Sequence, residues 1–222
     1  MNIRSSSFYI IYIHICLNRM NYTNEVSGHN TFINLGASNH SENERSKNDF
    51  YATPPLAVEH LLEVEDFNKK IWEPACGMNH ITNILRTNGY DVRISDIIKM
   101  TDDPAFEKID YLMSNEKWDG DIVTNPPFSL ATQFVNKSLD LVNEGAKVAM
   151  FLKIQFLEGK KRFVNIFKEN PPKRIYVAVN RYGCTMDGVF NPDGNFGSAI
   201  CYCWFIWEKG FKGDPTIKWI NY

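Results

Sequence analysis

The sequence predicts an α/β fold, a mostly parallel sheet with helices packed on both faces, and three observations carry that prediction. From about residue 50 onward, short apolar runs alternate with segments of helical periodicity. Polar groups that can receive hydrogen bonds stand where several of those runs end, at Glu73, Asp96 and Asn125. The chain of 222 residues is 44% hydrophobic and 23% charged, an ordinary globular composition with enough length for one good core. Strands separated by helices build a parallel sheet. Ligands of such sheets belong at the carboxyl ends of the strands, where strand order reverses. Glu73, Asp96, Asp110 and Asn125 are therefore expected around one crevice.

Each element has its own signal. Residues 7–17 form an apolar run too short to cross a bilayer, and no small-residue cleavage site follows it. It reads as a signal peptide, as a peripheral element, or as sequence upstream of a start at Met20. The last is favoured because residues 21–48 are polar and rich in Ser, Asn and Glu, too poor in apolar surface to offset their ordering entropy. Residues 1–48 are thus expected to be a disordered or peripheral leader that the fold can lose, and 49–222 a single domain. Residues 55–64 read as a helix with Leu56, Val58, Leu61 and Leu62 on its apolar face. A strand at 70–72 ends at Glu73. A helix at 81–88 is stopped by Gly89, and a strand at 92–95 ends at Asp96. A third strand is expected at 109–112 and a fourth at 121–124. Residues 131–142 form an amphipathic helix with Phe134, Val135, Leu139 and Leu141 inward, stopped by Gly145. A buried strand at 146–152 and two more at 174–180 and 199–208 complete the sheet, the last two joined by a Gly/Asn/Asp-rich loop.

Composition narrows the function. The net charge of −2 gives no overall sign of a nucleic-acid partner. Five scattered cysteines without a C-x-x-C pair argue against a zinc ribbon or a disulfide scaffold and for reduced, cytoplasmic thiols. No run reaches the length of a membrane span, so no membrane partner is expected.

Three short segments carry chemistry. Trp72-Glu73-Pro74-Ala75-Cys76-Gly77-Met78-Asn79-His80 follows the first strand and opens a helix. Gly77 permits a tight bend and close approach of a ligand, or simply a turn. Asp96 stands where an acid takes the two hydroxyls of a ribose, or where it caps a helix. Asn125-Pro126-Pro127-Phe128 is the sharpest signal. Two prolines cannot continue a central strand and they fix consecutive φ angles. The result is a rigid corner presenting an amide, backbone carbonyls and an aromatic ring.

EPACG followed by NPPF resembles the cofactor and catalytic motifs of S-adenosylmethionine-dependent methyltransferases that modify the exocyclic N6 amine of adenine in DNA. Asp49-Phe50-Tyr51-Ala52-Thr53-Pro54-Pro55 is similar to that family's motif closing over the methionine end of the cofactor, and the order of the motifs matches its gamma arrangement. The likeness covers residues 49–209. It implies a Rossmann-like methyltransferase fold of seven strands, mostly parallel, with an antiparallel last strand for which 198–208 is suited. It also implies S-adenosyl-L-methionine as cofactor and DNA as partner, with no metal.

Residue by residue, the resemblance implies that Tyr51, Thr53, Ala75 and the backbone at Gly77 hold the amino-acid moiety, with Glu73 supporting the loop. Asp96 would take the ribose, Asp110 the adenine amine of the cofactor, and Phe134 would pack on that ring or serve only its helix core. In the catalytic corner, the Asn125 side chain and the Pro126 carbonyl would accept hydrogen bonds from the target amine. Pro127 would stiffen the corner and Phe128 would stack on the base. His80 reads as a helix-start residue. Because the target amine lies inside the duplex, the base must be flipped out.

Nucleic-acid contact should appear as local basicity. Between residues 153 and 181 eight cations stand against Glu158 and Glu169, a local charge of +6 in a chain of −2. Lys160, Lys161, Arg162 and Arg181 are the candidate phosphate contacts, the alternative being a solvated basic helix. The loop 182–196 offers Tyr182 or Phe190 to the flipped base, or is a plain hairpin loop. Two departures stand out: Asn79 replaces a second glycine of the family, and the residues after Glu208 leave no room for a separate target-recognition domain. A compact form of the kind carried by phages and mobile elements is expected. The rival readings are an RNA adenine or protein glutamine methyltransferase, and a non-catalytic binding module with this fold.

Overall fold

A computed structural model describes residues 50–190 and 198–221. Residues 1–49, including the expected leader 1–48, and residues 191–197 lie outside the described residues. Helix α1 (Pro55–Leu62) precedes strand β1 (Lys70–Glu73), helix α2 (His80–Thr87), and strands β2 (Asp91–Asp96) and β3 (Phe106–Lys108). Strand β4 (Asp121–Thr124), helix α3 (Ala131–Leu141) and strand β5 (Lys147–Lys153) follow. A three-residue helix α4 (Lys160–Arg162) runs into a π-turn at Phe163–Phe167, before β6 (Arg174–Ala178), β7 (Tyr202–Glu208) and β8 (Thr216–Ile220).

The eight strands form one sheet in the order β3-β2-β1-β4-β5-β7-β6-β8. All neighbours are parallel except β7, which runs antiparallel to both β5 and β6. The expected mostly parallel sheet with an antiparallel strand at 199–208 is therefore present, with two corrections. The sheet has eight strands rather than seven, because Thr216–Ile220 pairs in parallel with β6 at the edge. The third strand is Phe106–Lys108 rather than 109–112, where Tyr111–Met113 makes a 3₁₀ turn capped by the Asp110 carboxylate.

The core lies on both faces of the sheet. One face packs Ala57, Val58 and Leu61 of α1 and Ile81 and Leu85 of α2 against Ile71, Ile94, Val123, Phe151 and Trp204. The other packs Phe134, Val135 and Leu139 of α3 against Trp72, Ile122, Met150, Leu152 and Phe205. Strand β5 is buried on both sides, which is why it reads as a continuous apolar run rather than an alternating one. Trp204 fastens α1 to β7 by donating its indole N–H to the Ala57 carbonyl at 2.7 Å. Each large side chain fully buried here contributes roughly 1.5–3 kcal/mol of transfer free energy.

Strand order runs β1-β2-β3 on one side and β4-β5 on the other, so it reverses between β1 and β4. That is the place where the carboxyl ends of an open α/β sheet leave a crevice.

Candidate active site

The crevice at the reversal point is a cleft of about 900 Å³, its open mouth included. Its walls include Tyr51, Thr53, Glu73, Ala75, Asp96, Asp110, Asn125, Pro126, Pro127 and Phe134. Most residues singled out in the sequence thus meet at one surface. Gly77 and Phe128 stand in the shell next to it.

The turn between β1 and α2 is shaped by two left-handed residues. Gly77 has φ +48°, and a Cβ built there would lie 2.4 Å from the Phe50 ring. Both the left-handed dihedral and the close approach of the Phe50 ring disfavour a side chain. Asn79 adopts φ 66° and ψ 23°, within reach of an asparagine. Its Nδ2 donates to Thr101 Oγ1 at 2.9 Å and to Asp103 Oδ2 at 3.2 Å, which ties the turn to the loop after β2. Asp96 receives the Gly77 N–H at 3.0 Å and the Ile98 N–H at 3.1 Å. It is therefore both a backbone cap and a wall of the cleft, and burial raises its pKa against the pull of those donors.

Glu73 is buried at the end of β1 and accepts a hydrogen bond from the Thr82 hydroxyl in the first turns of α2. Burial, aided by the neighbouring Asp96 charge, pushes its carboxyl up to about 8, although the Thr82 donors oppose the shift. In the unfolded chain the same group titrates near 4.5. The folded state holds the extra proton, so the stability this provides is complete below pH 4.5 and is lost as pH rises toward 8. Glu73→Gln removes the titration and keeps an acceptor for Thr82. The cofactor-free variant is expected to match the parent near pH 5 and to exceed it by on the order of 2 kcal/mol at pH 8. Thermal unfolding at the two pH values checks this.

The double-proline corner holds Asn125 in one orientation. Its Nδ2 donates to the Tyr51 carbonyl at 2.7 Å and to Thr53 Oγ1 at 2.9 Å. A carbonyl can only accept, so the amide nitrogen must face Tyr51 and the oxygen must face the other way. That oxygen, Asn125 Oδ1, is buried and has no hydrogen-bond partner among the described residues. A buried unpaired acceptor costs stability and invites a donor. The closing segment is pinned in turn by the bond from Ala52 N–H to the Thr185 carbonyl at 2.8 Å. Beyond the prolines, the Phe128 ring is half-buried and meets Tyr51 (centroids 5.6 Å apart) and Tyr202 (5.8 Å, tilted).

The cleft has acidic carboxyls at Glu73, Asp96 and Asp110 and, among the described residues, no Lys or Arg in its wall. His80, also in the wall, meets the Gly188 carbonyl at 3.0 Å through Nε2, and burial lowers its pKa, which favours the neutral ring. Ile97, Ile98, Met100, Tyr111 and Leu130 supply apolar surface that motif reading missed. Ile97 and Ile98 directly follow Asp96, so the signal was present. Tyr111 is held by Ser138 at 2.8 Å and lies beside Phe134 (centroids 5.1 Å apart), a contact between distant segments that no local pattern announces. Phe134 accordingly serves both the cleft wall and the α3 core.

One nucleic-acid candidate is corrected. Tyr182 is 1% exposed, packs beside Phe151, and meets His60 Nδ1 at 2.8 Å through its hydroxyl, so it is a core residue and cannot reach a flipped base. Phe190 is half-buried and meets the His80 ring edge-on with centroids 5.3 Å apart. Of the eight cations between 153 and 181, Arg174 is engaged by Glu65 and Lys173 by Glu208, which lowers the free charge of that stretch. Lys160 and Lys161 are exposed on α4; Arg162 donates to the Gln155 carbonyl at 3.1 Å and Arg181 to the Ala199 carbonyl at 3.3 Å. None of these four lines the cleft. Among the described residues no His, Cys, Asp and Glu cluster is arranged to hold a metal ion, and no helix is long and apolar enough to cross a membrane.

No protein-family model matches the sequence, and no curated protein matches it. Solved structures do share its fold. A candidate class I S-adenosylmethionine-dependent methyltransferase from Listeria monocytogenes aligns with a TM-score of 0.54 at 14% identity, over 81% of this chain and 69% of that one. A candidate RNA methyltransferase from Pyrococcus horikoshii aligns with a TM-score of 0.52 at 14% identity, over 82% of this chain and 99% of that one. The M protein of the type I restriction enzyme EcoKI aligns with a TM-score of 0.52 at 14% identity, over 75% of this chain but only 45% of its own. The chain therefore has a Rossmann-like methyltransferase fold.

Proposed function

We propose that this protein transfers the methyl group of S-adenosyl-L-methionine to the N6 amine of a flipped-out adenine in DNA. The observation that carries the proposal is the oriented Asn125 amide of the cleft wall, whose nitrogen bonds the 51–53 segment and whose buried oxygen has no partner among the described residues. The cleft suits the cofactor. Two acidic groups, Asp96 and Asp110, beside the Glu73 carboxyl that burial keeps protonated and a neutral histidine, face a ligand that carries a sulfonium and an ammonium, and the isoleucine and methionine wall suits its adenine ring. Tyr51, Thr53, Glu73, Ala75 and Gly77 would hold the amino-acid end, Asp96 the ribose, and Asp110 and Phe134 the adenine.

When bound, the cofactor supplies a methyl group already made electrophilic by its sulfonium. The chain's own task lies with the nucleophile, an amine whose lone pair is delocalised into its ring. Asn125 Oδ1 and the Pro126 carbonyl accept the two amine N–H bonds and favour a pyramidal nitrogen. The rigid Pro126-Pro127 corner means that this arrangement is paid for on folding and needs no rearrangement during reaction. Phe128 provides the flat surface on which the base is aimed. Exposed Lys160 and Lys161, with Arg162 and Arg181, would meet phosphates outside the cleft, and Phe190 stands beside His80 at the wall.

Methyl transfer from labelled cofactor to duplex DNA, RNA and a protein extract tests the proposal. Labelled N6-methyladenine in DNA is the expected product. Label confined to RNA or to glutamine in protein overturns the substrate, and label nowhere overturns the activity.

A further inference from the structure

We infer that Lys153 is the phosphate anchor of the substrate nucleotide, and that its departure from the Phe128 ring opens that ring to the base. The inference rests on the methyltransferase reading above and names the feature by which the site would prefer phosphate-linked adenine. Lys153 ends β5, beside the corner that ends β4, and lies opposite Tyr202 of β7. Its Nζ stands 4.6 Å from the centroid of Phe128 and 6.0 Å from that of Tyr51. Among the described residues Lys153 has no carboxylate or carbonyl partner. By contrast, Lys147 and Lys173 reach carboxylates at 2.7 and 2.6 Å, and Lys209 reaches the Leu139 carbonyl at 2.6 Å.

An ammonium resting on aromatic faces is held by a weaker attraction than a phosphate oxygen would give it. It also stands over the ring that the base must use, so ammonium and base compete for Phe128. A phosphate flanking the flipped base resolves the competition by drawing the ammonium off the ring. A glutamine side chain or a free nucleoside brings no such anion. Lys153 therefore couples base stacking to phosphate engagement.

The test replaces Lys153 with Met, which keeps the apolar stem, and with Arg, which keeps the charge. Binding of a labelled, adenine-containing oligonucleotide is followed by anisotropy across a salt series, so the readout needs no turnover. Lys153→Met is expected to weaken binding about tenfold at low salt and to reduce the slope of log affinity against log salt by about 1, with Arg restoring most of both. In methyl transfer, the ratio of kcat/KM for oligonucleotide to that for adenosine should fall about tenfold in the Met variant. Unchanged affinity and slope in a parent that binds and methylates the oligonucleotide overturn the anchor and leave the enzyme reading standing. Equal losses on oligonucleotide and adenosine reduce Lys153 to a prop for Phe128. A parent that neither binds nor methylates the oligonucleotide overturns both.

Discussion

Asn125→Ala is expected to lower kcat for methyl transfer by about 10²–10³-fold, the magnitude that follows the loss of one preorganised polar group facing a reacting atom. The effect should fall on kcat more than on the KM for substrate, because the bond to Asn125 Oδ1 strengthens as the amine becomes pyramidal. Alanine also removes both bonds to the 51–53 segment, at 2.7 and 2.9 Å, so affinity for the cofactor should weaken severalfold as well. Asn125→Asp separates the two contributions. It keeps the free oxygen but turns a second oxygen toward the Tyr51 carbonyl, where an acceptor faces an acceptor. Only the protonated acid can donate there, so the residual activity of the Asp variant should decline as pH rises through the titration of that carboxyl. Single-turnover rates and cofactor titrations on the three proteins check these outcomes. An Ala variant with the parental rate would remove the corner from the chemistry.

Much of this site was legible because its residues sit where short local signals end. The strand 121–124 matches the structure residue for residue, because Ile122 and Val123 between Asp121 and Thr124 run straight into Asn125 and two prolines. Glu73, Asp96 and Asn125 were found for the same reason, each closing an apolar run. The orientation of Asn125 was not legible, since it depends on a backbone carbonyl 74 residues away. Tyr182 was misread because an aromatic in a Gly-rich loop looks available, whereas its partner His60 lies 122 residues earlier. Both missed strands are edge strands with little to bury. Phe106–Lys108 has no fully buried residue, and Thr216–Ile220 buries only Ile220, so neither carries the pattern that reveals a strand.

The basic stretch also contains Arg174, whose buried partner gives the largest expected effect on stability. Glu65, 6% exposed, accepts both arms of the Arg174 guanidinium at 2.6 and 2.7 Å, the Tyr176 hydroxyl at 2.9 Å and the Lys147 ammonium at 2.7 Å. Burial alone would raise its carboxyl, but Arg174, Lys147 and Tyr176 together hold it below the ordinary range. Arg174 and Lys147 begin β6 and β5, so this clamp sits at the amino ends of the strands, away from the cleft. Glu65→Ala leaves the Arg174 guanidinium without its carboxylate, while Lys147 keeps the Asp66 carbonyl and Tyr176 the Val64 carbonyl, and is expected to cost about 3–5 kcal/mol, a large share of the roughly 5–15 kcal/mol that holds a domain together. Because the folded carboxyl is held low, the clamp's contribution is present above pH 4.5 and is lost as pH falls through the folded value. The parent and Glu65→Ala should therefore converge in stability toward acid. Replacing Glu65 with Leu and Arg174 with Met together should cost far less than either change alone, since no charge is then left buried without its partner. Urea unfolding at pH 7 and pH 4 measures all three, and additive losses in the double variant would show that the clamp is not a coupled unit.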